Sequence, residues 1–492
     1  MSRDYRPQIH FTPARNWMND PNGLVYYQGV YHLFYQYNPF GNSWGNMSWG
    51  HATSRDLTSW HEHPVAIPCT PTEQIYSGSV VVDSLNTSQL GSLESPPLVA
   101  VYTSVSPDGI QTQALAFSTD GGFEWEKYAG NPVLDRGSPD FRDPKVFNYT
   151  SPTGASTWIM VAVEATLREV LIYSSQNLRN WTFESSIGPF GPECVVWECP
   201  DLFALPADGD EERPMWVLLV STNGVGDAVD SSMSYLVGSF DGHSFVVDPT
   251  SSWSPVDHGR DFYAAVTFSN VPDDCRIALG WAGNWQYAAE TPTTPWRGLM
   301  SSPRELSLRS TADGFALVQV PMYDLETLTG DAETAEVPIA PGAPSTRSVG
   351  HRYVLTVDWK PEHASVLHLD VLAGAQGEVR ISYDAETMKL SLDRRRSGVV
   401  DLHPGFATVN EALVPLHDGR LSLTVIVDDC VVEIFADEGA VTFTDLAFAP
   451  SDADLLRVEA TSGSGTVTVS QLREPPGDTD RGQSRDGVRS GG

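Results

Sequence analysis

Ser54-Arg55-Asp56-Leu57-Thr58-Ser59-Trp60 is the stretch on which the fold turns. It returns as Ser118-Thr119-Asp120-Gly121-Gly122-Phe123-Glu124-Trp125 and again as Ser174-Ser175-Gln176-Asn177-Leu178-Arg179-Asn180-Trp181. Each copy is a serine, a polar turn and then a tryptophan, and the starts lie 64 and 56 residues apart. A recurring supersecondary unit of that size suits one four-stranded propeller blade. Around the copies run short alternating apolar stretches, such as Val30 to Tyr37, Leu98 to Thr103, Trp158 to Val163, Met215 to Ser221 and Ile277 to Trp281, broken by Gly, Pro, Asn and Asp. Strands of that length and spacing, with hardly any helical periodicity, imply a sandwich, a barrel or a propeller. The repeat selects the propeller, and about five units fill the segment that ends near residue 325.

Past that point the composition shifts. Residues 326–349, rich in Ala, Pro, Thr, Glu and Gly, read as a linker. Alternation resumes over 350–473, for example Tyr353 to Trp359, Val366 to Leu372, Leu421 to Val427 and Val431 to Phe435, as expected for a β-sandwich. Residues 474–492, Pro- and Gly-rich and charged, read as a disordered tail. The sequence expectation is therefore an all-β chain, a five-bladed β-propeller at 1–325 followed by a C-terminal β-sandwich.

Charge narrows the partners. The chain has 63 acidic against 30 basic residues, a net charge of −33, which opposes nucleic acid and anionic lipid but is indifferent to a neutral substrate. Fourteen Trp and seventeen Tyr supply flat rings suited to stacking on sugars, and equally to packing within sheets. The five cysteines are scattered and contain no Cys-x-x-Cys pair, so neither a disulfide framework nor a zinc site is expected. No His-Glu-x-x-His or Walker motif appears, and no metal or cofactor is expected. Arg394-Arg395-Arg396 reads as a solvated hairpin edge. Gly41-Asn42-Ser43-Trp44-Gly45 matches a serine-hydrolase elbow, but no strand-turn-helix surrounds it.

Three carboxylates stand in unusually constrained settings. Asp20 lies in Trp17-Met18-Asn19-Asp20-Pro21-Asn22-Gly23, Asp143 in Phe141-Arg142-Asp143-Pro144, and Glu198 in Trp197-Glu198-Cys199-Pro200-Asp201. Turn-forming neighbours aim each side chain, and each precedes an apolar strand-like run. They fall on different blades, and a propeller brings such positions together at one end of its axis. Glycosidic bond cleavage needs such a set: a nucleophile, a general acid, and a further carboxylate to hold sugar hydroxyls while positive charge develops on the ring.

These three blocks resemble the signatures of glycoside hydrolase family 32, and further similar blocks follow in order. They are Phe34 to Pro39, Trp49-Gly50-His51-Ala52, Tyr76-Ser77-Gly78-Ser79, Gly259 to Ala264, Gly280-Trp281, Trp296-Arg297-Gly298 and Pro303 to Leu306. The resemblance implies a propeller-plus-sandwich enzyme acting on fructans. It implies Asp20 as nucleophile, Glu198 as acid/base with a raised pKa, and Asp143 with Arg142 as the grip on ring hydroxyls. Asn19, Gln36, Trp44, Tyr76, Ser77 and Trp285 are implied to line the fructose pocket, with Tyr76 where the family often has Phe, while Asp261 and Tyr263 stand behind the site. The rim departs from the usual pattern at Met233-Ser234 and at Ala282-Gly283. Changes there should alter which acceptor reaches the fructosyl-enzyme, and the whole resembles levan fructotransferases of soil actinobacteria, which would cut levan and release a difructose anhydride. The alternatives are an exo-hydrolase of levan, inulin or sucrose and, more remotely, an inactive fructan-binding module. A polymeric substrate found outside cells implies an extracellular enzyme, although Met1 to Pro7 carries no apolar secretion signal.

Overall fold

The computed structural model describes residues 3–225, 230–322, 328–329 and 334–473. The expected tail, residues 474–492, lies outside the described residues, as does part of the expected linker.

Five antiparallel blades make up the first part of the chain. Blade I is Asn16–Tyr27, Val30–Asn38, Ser48–Ser54 and His61–Ile67; blade II is Gln74–Val82, Leu98–Val105, Gln111–Ser118 and Glu126–Lys127. Blade III is Phe141–Thr150, Ser156–Glu164, Glu169–Ser175 and Thr182–Ile187; blade IV is Val195–Ala207, Asp210–Gly224, Ser232–Phe240 and Phe245–Val247. Blade V is Tyr263–Thr267, Ile277–Trp281, Arg304–Thr311 and Gly314–Pro321. The first strand of each blade packs against that of the next, and blade V returns to blade I, so the five inner strands form a closed ring. Parallel pairing of Asn16 with Trp296 and of Trp17 with Arg297 ties the end of the propeller to its beginning.

The repeat that announced the blades is a turn between third and fourth strands. Asp56 Oδ1 accepts from Thr58 N and Ser59 N, Asp120 Oδ1 from Phe123 N and Glu124 N, and Asn177 Oδ1 from Arg179 N and Asn180 N. In each the indole N–H of the closing tryptophan, Trp60, Trp125 or Trp181, donates back to the turn backbone. Blade IV has the same turn at Asp241, whose Oδ1 accepts from His243 N and Ser244 N, but Phe245 closes it. A phenylalanine cannot make the indole bond, so this copy is harder to see in the sequence.

The sandwich packs two six-stranded sheets face to face. Its core includes Leu355, Val357, Trp359, Leu369, Ile381, Val425, Ile434 and Phe443. The expected linker is corrected here. Thr334–Ile339 pairs with Ser464–Gln471, and Ser345–Ser348 pairs with Leu455–Ala460, so one strand of this stretch joins each sheet. Both are edge strands, where Pro338 and several polar residues are tolerated, and that composition imitates a linker. A second correction concerns Arg394. It is fully buried while Arg395 and Arg396 are exposed, because the period of two that buries Leu390 and Leu392 carries Arg394 onto the same inward face.

Candidate active site

All five inner strands slip register at the same level. The shifts lie between Met18 and Pro21, Ile75 and Gly78, Arg142 and Lys145, Glu198 and Asp201, and Tyr263 and Val266. A bulge bends its strand and re-aims the side chains beside it. Asp143, Cys199 and Ala264 take left-handed φ of 61°, 45° and 52° within three of them. Non-glycine residues persist in that region only where the surroundings hold them, commonly at functional sites. The bulges turn Asp20, Ser77, Asp143, Glu198 and Tyr263 into one cluster of contacts.

Within it, Asn19 Nδ2 donates to Asp20 Oδ1 at 3.0 Å and Ser77 Oγ donates to Oδ2 at 2.8 Å. Trp17 Nε1 fixes the Asn19 amide by donating to its Oδ1 at 2.7 Å. Asp143 Oδ2 accepts from Cys199 N at 3.0 Å, and Asp143 N donates to Thr103 Oγ1 at 2.9 Å. The Cys199 thiol lies 3.6 Å from Asp20 Oδ2 and 3.7 Å from Asp143 Oδ2, joining the two carboxylates. Arg142 Nη2 donates to Glu198 Oε1 at 3.1 Å while its Nε is 3.9 Å from Asp143 Oδ2. Tyr263 OH donates to Glu198 Oε2 at 2.5 Å.

Burial and charge differentiate the three acids. Asp20 and Asp143 are 8% and 6% exposed, whereas the Glu198 side chain keeps 20% of its surface, the easiest of the three to supply with protons from solvent. Burial raises Asp20 above the usual carboxylate range; the Asn19 amide opposes it, Glu198 adds to it, and Ser77 opposes it again. Burial likewise raises Asp143, against the Arg142 guanidinium and with the help of Glu198. Arg142 stands between Asp143 and Glu198 and contacts both. Burial and the surrounding carboxylates hold the Cys199 thiol protonated, so it serves as an S–H donor.

The remaining expected residues surround this cluster. Trp285 stacks on Trp17 with ring centroids 6.1 Å apart, and Trp44 meets Tyr76 edge-on at 5.9 Å. Burial raises the Tyr76 hydroxyl above its ordinary value, with Arg142 opposing and Asp143 and Glu198 adding to it. Gln36 braces the scaffold: its amide donates to Asn22 Oδ1 and to Ile75 O, both at 3.1 Å. Two side chains matter more than the sequence indicated. Tyr263 bonds Glu198 directly, and Cys199 links two acids from the blade IV bulge. Met233 and Ala282 are corrected in the other direction. Both are 1% exposed: Met233 packs against the blade V bulge, its Sδ accepting from Ala265 N, and Ala282 packs beside Tyr287 and Trp296. Neither side chain is exposed; residues 226–229 of the loop before Met233 lie outside the described residues.

Inner-strand carboxylates gathered with an arginine at one level of a five-bladed propeller define a glycoside hydrolase. The chain belongs to glycoside hydrolase family 32: residues 10–321 match the family's N-terminal domain and 324–473 its C-terminal domain. It is 42% identical to the levanase of Bacillus subtilis (strain 168) over 97% of this chain and 72% of that one. It is 37% identical to the extracellular exo-inulinase of Aspergillus awamori over 93% and 92%. The crystal structure of an exo-inulinase from the same fungus superposes with a TM-score of 0.90 at 35% identity, covering 96% of this chain and 99% of that one. The β-fructofuranosidase of Schwanniomyces occidentalis complexed with fructosyl-erythritol gives 0.87 at 32%, covering 95% and 98%.

Proposed function

We propose that the protein is a secreted, retaining exo-hydrolase of β-fructans that releases fructose. The observation that carries this reading is the unbroken run of contacts from Asp20 through Cys199 and Asp143 to Arg142 and Glu198. It offers one carboxylate as nucleophile, one as proton carrier, and a charged pair between them to grip hydroxyls. Asp20 attacks the anomeric carbon of a terminal fructofuranosyl unit as Glu198 protonates the departing glycosidic oxygen. Glu198, now a carboxylate, takes a proton from water, the resulting hydroxide oxygen bonds to the anomeric carbon, and Asp20 leaves. Asn19, Ser77, Tyr76, Trp44 and Trp285 would hold the sugar, with Arg142 and Asp143 strengthening their hold as charge develops.

The levanase and exo-inulinase relatives favour hydrolysis of levan or inulin, and the word extracellular in the latter's name favours secretion. Intramolecular transfer to a difructose anhydride, the reading prompted by the resemblance of the whole chain and the departures at Met233-Ser234 and Ala282-Gly283, is the second reading, and the names of these relatives do not favour it. Incubation with levan, inulin and sucrose, followed by mass spectrometry, tests the proposal. Free fructose is expected; a disaccharide lighter by one water would establish transfer, and no product would indicate a binding module. Asp20→Ala should bind fructan yet lose at least about 10³-fold in turnover; normal turnover in that variant would reject the assignment.

A further inference from the structure

Arg394 belongs to the sandwich, yet its guanidinium reaches into the propeller. Its Nη1 donates to Asp261 Oδ2 at 2.5 Å and to Leu446 O at 3.1 Å, and its Nη2 donates to Tyr287 OH at 2.7 Å. Nε donates to Phe406 O at 2.7 Å, and the guanidinium lies 4.1 Å from the centroid of the Phe406 ring. Arg394 and Asp261 are both fully buried. Tyr287 OH in turn donates to the other Asp261 oxygen at 2.8 Å, closing a three-membered network across the domain boundary.

The network sits where one segment leaves the sandwich for the active site. Residues 257 to 261 run along Val441–Leu446, the edge strand of a sandwich sheet, which is buried along its whole length. His258 N donates to Thr442 O at 2.8 Å and Asp261 N to Thr444 O at 3.0 Å. Thr444 N and Leu446 N answer by donating to the Asp257 and Asp261 carboxylates, each at 2.8 Å. The fit is close: a Cβ on Gly259 would meet Thr444 O at 2.2 Å. Two residues beyond Asp261 the chain reaches Tyr263, whose hydroxyl holds Glu198 Oε2. Tyr287 lies two residues past Trp285, so the same guanidinium also anchors the loop that carries the Trp285 ring.

We infer that Arg394 is a positioning residue for the reaction, acting from the sandwich through Asp261 and Tyr263 to orient the proton-carrying carboxylate Glu198. The inference rests on the glycosidase reading above. It gives the sandwich a share in acid catalysis in addition to its share in stability. A misaligned acid penalises a leaving group that needs a proton and spares one that does not.

The test compares kcat/KM on a fructo-oligosaccharide with kcat/KM on an aryl β-fructofuranoside whose nitrophenolate departs unprotonated. In the full chain, Arg394→Gln should lose about 10- to 100-fold on the oligosaccharide and less than about 3-fold on the aryl substrate. Tyr263→Phe should show the same skew, and adding Arg394→Gln to it should cost little more, because residues acting in series are not additive. Tyr287→Phe removes one hydroxyl of the network without stranding a charge, so it keeps the question open to experiment if Arg394→Gln does not fold; a smaller skew in the same sense is expected. Equal losses on the two substrates, or none on either, in a folded variant would overturn the inference. A wild-type enzyme that cleaves neither substrate would instead overturn the glycosidase reading.

Discussion

Asp143 shows what the active site costs the fold. Its left-handed backbone, φ 61°, suits Asp or Asn, whose short side chains bond locally. Its carboxyl is buried between Asp20 and Glu198, and burial raises it with only Arg142 and the Cys199 N–H in opposition. A carboxyl whose folded pKa lies above its unfolded value retains its proton in the native state, so stability falls as pH rises through that interval. Asp143→Asn keeps the backbone preference and the acceptor for Cys199 N but removes the charge. The variant should be more stable than wild type at pH 8, by about 1–3 kcal/mol, and the gap should close near pH 4. Thermal unfolding at the two pH values, beside an activity assay showing lost turnover, measures the exchange of stability for function. A less stable variant at pH 8 would mean that the carboxylate holds the site together.

At the scale of the strand, blade I carries a second electrostatic liability. His32, His51 and His63 occupy neighbouring strands; His32 and His51 stack with Phe34, the His51 ring centroid 4.4 Å from that of Phe34, and His63 lies tilted 4.7 Å from His51. His32 Nδ1 is 3.1 Å from His51 Nε2, so one proton between them is the most this contact accommodates. Burial, and then the neighbouring imidazoles, lowers His32 to about 4, His51 to about 2 and His63 to about 4. Their folded values lie below the unfolded one, so the unfolded chain binds more protons and stability drops as pH falls from about 6.5 toward 4. Unfolding midpoints measured from pH 7 to pH 4.5 should fall steeply, and His51→Phe should flatten that slope by about one proton. An unchanged slope would exonerate the stack. The strand scale also explains what could be read from sequence. Asp20, Asp143 and Glu198 were legible because rigid turn-forming neighbours advertise them, and the blades because their turns repeat. Arg394 is masked by the charge of the Arg394-Arg395-Arg396 run, although the step of two from Leu390 and Leu392 points it inward. Cys199 was out of reach, since its role comes from a bulge created by tertiary packing.

Over the whole molecule, propeller and sandwich share a core cluster where they meet. Met18, Tyr35, Phe268 and Ile277 from the propeller cluster with Val354, Ile426 and Phe435 from the sandwich, so that sandwich sheet is apolar on both faces. A buried ionic cluster sits against this contact. Arg304 bonds Asp257 at 2.9 Å and Glu433 at 2.8 Å, while His10 bonds Asp428 at 2.8 Å and Glu433 at 3.1 Å. Burial disfavours the His10 cation, but its two carboxylates more than compensate and raise it to about 9. With the folded value above the unfolded one, the stability His10 adds is complete below about pH 6.5 and disappears as pH rises through 9. Removing the Arg304 charge is harsher, because Asp257 and Glu433 then remain buried without their shared cation. Arg304→Met should cost about 3–5 kcal/mol, and it should do so for both halves of the chain at once. Denaturant unfolding of the wild type should therefore be a single transition, followed alike by tryptophan fluorescence and far-ultraviolet dichroism, and the variant should shift it without splitting it. A sandwich that unfolds at an unchanged midpoint while the propeller melts early would show that the two are independent, and the route from Arg394 to Glu198 would then lack its rigid support.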